Sequence, residues 1–152
     1  MLDMKNKLVF KLFPEKYCYA HFKDLPEELH STNFFSLTKT PTEFSLFCEQ
    51  RLVNDSTKHD KNWRVLQLQG IFDLESDNSV GITSRFSTVL AKYSINLCVI
   101  ATFDTDYLLI KELNLELAMQ HLRANNFEIV KRIKLAVKLF INSLLIINKC
   151  PT

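Results

Sequence analysis

The chain has 152 residues, 47% of them hydrophobic and 24% charged, with a formal net charge of +2. That suits one ordinary domain or two very small ones, with enough apolar surface for a sizeable core. So small a charge, scattered along the chain, leaves no electrostatic footprint for nucleic acid, and only two glycines and four prolines argue against flexible linkers and Gly-rich phosphate loops.

In chain order, "MLDMKNKLVFKLFPEK" carries a charge every few residues and has no apolar stretch of signal-peptide length, so a cytoplasmic location is expected. "KLVFKLF" and "YCYAHF" flank a proline and read as a hairpin. "DLPEELH" suits a turn or two of helix, with Asp24 as N-cap and Pro26 early in it. "FFSLTKT" and "EFSLFCE" read as a second pair of strands, turning at Pro41. The polar stretch 50–62, "QRLVNDSTKHDKN", has no strong period and is the best internal boundary.

Beyond it, "WRVLQLQG" alternates like a strand and "FDLESDNSVG" reads as a polar loop. Ile82, Phe86, Val89, Leu90 and Tyr93 then share one helical face, with Ser79 as a candidate cap. "NLCVIAT" and "DYLLIK" are buried strands. Leu115, Ala118, Met119 and Leu122 form the apolar face of a second helix that Asn125–Asn126 would close, and "FEIV" is a last short strand. The second half thus reads β–α–β–β–α–β, the ferredoxin-like order of a four-stranded antiparallel sheet with two helices on one face. The strand-rich first half fits a reduced version of the same unit.

Chemistry-bearing residues are sparse. Cys18, Cys48, Cys98 and Cys150 form no CxxC pair, so a zinc ribbon is not indicated, and the first three read as reduced core thiols. Asp104 and Asp106 in "ATFDTDYLLI" offer two oxygen ligands, but a calcium loop needs more. His21, His30, His59 and His121 are dispersed, with His121 on a polar helix face, and no GxSxG occurs. No metal, cofactor or catalytic set is therefore expected. Phe34, Phe35, Phe44, Phe47 and Phe86 read as core rather than as a stacking platform for bases.

"FFSLTKTPTEFSLFCE", "NWRVLQLQGIFDLES", "VGITSRFSTVLAKYSINLCVIATFDTDYLLIKE" and "LELAMQHLRANNFEI" together resemble a family of small bacterial proteins with two tandem ACT domains. That family is related to the CASTOR-type arginine sensors, and "IATFDTDY" is the most specific piece of the likeness. It implies an α+β fold of two ferredoxin-like sub-domains, residues 1–60 and 61–130, the first reduced, and the extra helical tail over 131–152 departs from it. It also implies a non-catalytic regulatory or sensory module that binds an amino-acid-type small molecule and pairs as a homodimer, with an unidentified protein partner to which occupancy is conveyed. The alternative is a structural or interaction module without ligand.

The ligand contacts the resemblance carries over fall on three segments: Thr102, Phe103 and Asp106; Ser79, Val80, Gly81 and Ile82; and Ser36 with Leu37. Ser79 stands where an arginine sensor would offer an acid. Chemically, Asp106 could accept hydrogen bonds from an ammonium, and helix N-terminal amides near Gly81–Ile82 could receive a carboxylate. Gly81 lets a ligand approach the backbone, and Phe103 could cover its aliphatic part. Read from residues alone, Asp104 and Asp106 equally suit turn chemistry.

The tail "KRIKLAVKLFINSLLIINKCPT" has an apolar stripe opposite Lys134 and Lys138. Its apolar run is shorter than the roughly 20 residues a span requires. It reads first as an extra helix packing on the sheet or a second subunit. A membrane-surface segment and an unselected extension are the competing readings.

Overall fold

The computed structural model describes residues 7–22, 27–54, 58–69 and 80–131. Among these, eight strands form one continuous sheet: β1 Leu8–Leu12, β2 Tyr17–His21, β3 Ser36–Lys39, β4 Phe44–Glu49, β5 His59–Gln69, β6 Leu97–Ala101, β7 Asp106–Lys111 and β8 Phe127–Lys131. Two helices, α1 Ile82–Ala91 and α2 Leu115–Ala124, accompany them. The predicted caps Asp24 and Ser79, Pro26, the loop over 70–79 and the tail over 132–152 lie outside the described residues.

The eleven-residue β5 organises the fold. Its first half pairs with β2, and its second half pairs with β1 on the same edge and β7 on the other. The predicted hairpin between β1 and β2 is therefore corrected. Both strands run antiparallel to β5, end to end, from Val9 opposite Gln69 to Ala20 opposite His59. The Phe13 amide still bonds the Val65 carbonyl at 2.9 Å. Pro14, with no N–H to give, interrupts the ladder without reversing the chain. The polar boundary is corrected in part as well, since 59–62 open β5.

Each half of the sheet follows the ferredoxin-like order. In the first, β3-β4-β2-β5 are neighbours, with short 3-10 turns at Glu27–Ser31 and Gln50–Leu52 where a full unit has helices. In the second, β6, β7 and β5 are neighbours, but β1 lies between β5 and β8 and runs parallel to β8. The four-stranded antiparallel sheet expected there thus gains a fifth strand from the N-terminus. The halves also share a turn: Thr40 and Thr102 each donate their amide to the carbonyl three residues on, both at 2.9 Å, and each hydroxyl accepts that residue's amide, Glu43 or Thr105. A threonine-first turn, "TPTE" or "TFDT", leads into the third strand of both units.

Three apolar layers result from strict alternation along the strands. Phe10, Leu66, Leu68, Leu108 and Ile110 meet Ile82, Phe86, Leu90, Met119 and Leu122 of the helices. The other face of the second unit, with Val65, Leu109 and Tyr107, packs on Tyr17, Phe34 and Phe47 of the first. Cys18, Ala20, Leu46 and Cys48 face Leu29 and Val53 of the 3-10 turns. The predicted helical faces are found, save that Tyr93 lies beyond α1 and is exposed. His121 is half-buried rather than solvated, its ring stacked on Tyr93.

Candidate functional site

Two of the three predicted segments meet where α1 begins. Gly81 is the helix N-cap, with φ of +78°, a conformation that a side chain would strain. Its carbonyl takes the Arg85 amide at 3.0 Å, opening the helical ladder and leaving the first amides without intrahelical acceptors. A Cβ built on Gly81 would meet nothing within 4 Å among the described residues, which leave the space beside this backbone open. Ile82, the next residue, turns inward and is buried in the core.

Asp106, the first residue of β7, is half-buried and sits beneath the same helix end. Thr83 Oγ1 donates to its Oδ2 at 3.0 Å. The turn before it is pinned twice. Thr102 Oγ1 donates to the Thr105 carbonyl at 2.9 Å, and Thr105 Oγ1 donates to the Leu68 carbonyl at 2.6 Å on β5. The pinned turn fixes Asp106 against α1 and leaves Phe103 at its tip, 86% exposed. Val80, which precedes Gly81, is 66% exposed. An open backbone corner, one carboxylate and two exposed apolar side chains thus share one end of the second unit.

Ser36 and Leu37 lie on the edge strand β3 of the first unit, paired to Phe47 and Leu46. The connection toward the corner runs through Phe34, two residues earlier, whose ring stacks on Tyr107 at 4.3 Å, next to Asp106. Tyr107 also meets Phe13 edge-on and accepts a hydrogen bond from Gln67 Nε2 at 3.3 Å, and burial pushes its phenol up from the ordinary value. Sequence reasoning missed Thr83 and Thr105, which nothing in the sequence signals; Phe34, expected in the core, is buried there.

Elsewhere, a groove of about 490 Å³ on the first unit is lined by Tyr19, His21, Ser45, His59 and Asp60, among others. Asp60 is already engaged: it accepts from Trp63 Nε1 at 3.1 Å and pairs with Lys111, whose ammonium lies over the Trp63 ring. Among the described residues no group of three or more His, Cys, Asp or Glu could hold a metal, and no helix is long and apolar enough to cross a membrane.

The βαββαβ order of the second unit is a ferredoxin-like one, and comparison with known proteins bears on it. Residues 58–124 match the model of the ACT domain family. An Agobacterium tumefaciens protein superposes with a TM-score of 0.75 at 23% identity, covering 84% of this chain and 96% of that one. A Vibrio cholerae protein, described as of unknown function and a possible transport protein, gives 0.63 at 20% identity over 79% and 91%. Aspartate kinase of Clostridium acetobutylicum, an allosteric enzyme, gives 0.56 at 13% identity, covering 83% of this chain but 36% of the kinase. At these identities the likenesses establish the fold, and with the family match they support an ACT-domain protein.

Proposed function

We propose that this chain is a non-catalytic sensor of an amino-acid-type small molecule, cytoplasmic and homodimeric, with tandem ACT-like sub-domains of the CASTOR-related kind over residues 1–60 and 61–130 that share β5. The ligand would sit at the α1 corner, its ammonium on Asp106, its carboxylate toward the amides after Gly81, and its side chain between Phe103 and Val80. Thr102 and Ser79 border the same corner in this reading, and Ser36 and Leu37 contribute from the facing unit. Occupancy would be conveyed to a protein partner through the aromatic cluster between the units. Regulatory small-molecule binding is the general role of ACT domains, and an allosteric aspartate kinase shares the fold.

One observation carries the proposal: Asp106 is held by Thr83 at a helix start whose backbone is open beside Gly81. A thermal-shift and calorimetric panel of the proteinogenic amino acids tests it. One stabilising ligand is expected, and a panel without any would remove the sensor reading in favour of a ligand-free interaction module. Asp106→Ala is expected to weaken the hit by about 1.5–3 kcal/mol, roughly ten- to a hundredfold, because a charged hydrogen bond is lost. Unchanged affinity would show that Asp106 does not face the ligand. Light scattering with and without the hit reports the oligomer.

A further inference from the structure

Cys18 and Cys48 stand directly opposite each other on β2 and β4. Both are free, both have 0% of their surface exposed, and both point into the layer beneath the 3-10 turns. Directly opposed residues of an antiparallel pair have Cα atoms about 4.5–5.5 Å apart. That lies within the roughly 4.4–6.8 Å that a disulfide spans. Both side chains enter the same buried layer with Leu29, Leu46 and Val53.

We propose that Cys18 and Cys48 are a reversible dithiol–disulfide pair that fastens β2 to β4 when the surrounding low-molecular-weight thiol pool is oxidised. Two arrangements favour the pair over Cys98. Cys98 lies on the other unit, in the inter-unit layer with Tyr19, and has no cysteine across from it on β7, where its register partner is Leu109. The neighbouring Cys48 holds the Cys18 thiol below its ordinary value, burial opposing and Lys61 aiding, while Cys18 and burial push the Cys48 thiol up. Cys18 is therefore the first thiolate.

The chemistry balances with a small disulfide RSSR, such as oxidised glutathione, as oxidant. The Cys18 thiolate attacks one sulfur of RSSR, forming a mixed disulfide and releasing RS⁻. Cys48 loses its proton to RS⁻ and attacks Cys18 Sγ, expelling the second thiolate, which takes up the proton Cys18 gave to solvent. Two protein thiols become one disulfide and one RSSR becomes two RSH. Because both sulfurs are buried, exchange proceeds through local opening and is slower than at a surface thiol.

The test equilibrates the full-length native protein in glutathione redox buffers until its mass spectrum stops changing, then alkylates free thiols in denaturant and maps the peptides. A Cys18–Cys48 link with the mass of two hydrogens lost is expected, reversed by reduced glutathione. Closing a loop of this length should raise Tm by about 10 °C. A Cys98→Ser/Cys150→Ser variant should behave identically, and Cys18→Ser should form no link. Unmodified thiols at equilibrium, a lasting glutathione adduct, a link through Cys98 or Cys150, or a fall in Tm on oxidation would each overturn the proposal.

Discussion

Tyr19 shows how one side chain acquires a property that its place in the sequence does not announce. Its phenol is pushed up to about 12, first by burial and then by its contact with Cys98 across the units. A folded-state value raised above the ordinary 10.0 means that the contribution to stability is complete below pH 10.0 and is lost as pH rises through about 12. Tyr19→Phe is expected to flatten the alkaline fall of the urea midpoint in that window, with phenolate absorbance showing one fewer late-titrating tyrosine. An unchanged profile would assign the fall to other groups. Glu112 moves the opposite way: a hydrogen bond from Lys16 lowers its carboxyl, aided by Arg64. Asp106 was singled out through the family resemblance, since from the residues alone it and Asp104 both suit turn chemistry. Thr83, its partner 23 residues earlier, was not, since a hydroxyl on an exposed helical turn looks like any other.

At the scale of elements, the helices were readable from apolar spacing because a helix must bury one stripe, and Ile82, Phe86, Val89 and Leu90 do so against the sheet. The N-terminus of α1 is set by backbone instead: Gly81 at φ +78° makes no side-chain cap. Gly81→Ala is expected to cost about 1 kcal/mol from strain alone, since among the described residues no atom stands in the way of the new Cβ. Denaturant unfolding measures this; a loss several times larger would mean that Gly81 tolerates no side chain there. The β3–β4 pair turning at Pro41 was also legible, with Thr40 to Glu43 closing the turn. The β1–β2 relation was not. A proline between two β-type runs marks a break in hydrogen bonding, and whether the chain reverses or continues depends on the length of the strand alongside.

For the whole molecule, the decisive feature is that β1 lies between β5 and β8 and gives Phe10 and Leu12 to the helical core. The two units are bound further by the layer around Phe34, Tyr107 and Phe13. A fragment of residues 58–131, which spans the ACT match, is therefore expected not to fold cooperatively. β8 would lose the strand it pairs with, and Phe10 would leave a cavity against Phe86 and Phe127. Circular dichroism melting of the fragment beside the full chain checks this, and a sharp transition in the fragment would show that β5 and β8 can close on each other directly.

The sequence by itself determined the eight strands' identity within a few residues, the two helices and their buried faces, and the ferredoxin-like order. Each of these depends on periodicity or turn chemistry within a short window of chain. Tertiary structure alone decided that β1 and β2 run end to end along β5, that β1 enters the second unit, that Phe34 stacks on Tyr107 and that Cys18 faces Cys48. Those are matters of which edges and faces meet. Hydrogen-bond and apolar matching between distant segments settles them, and many pairings compatible with one local pattern compete until the whole sheet is assembled.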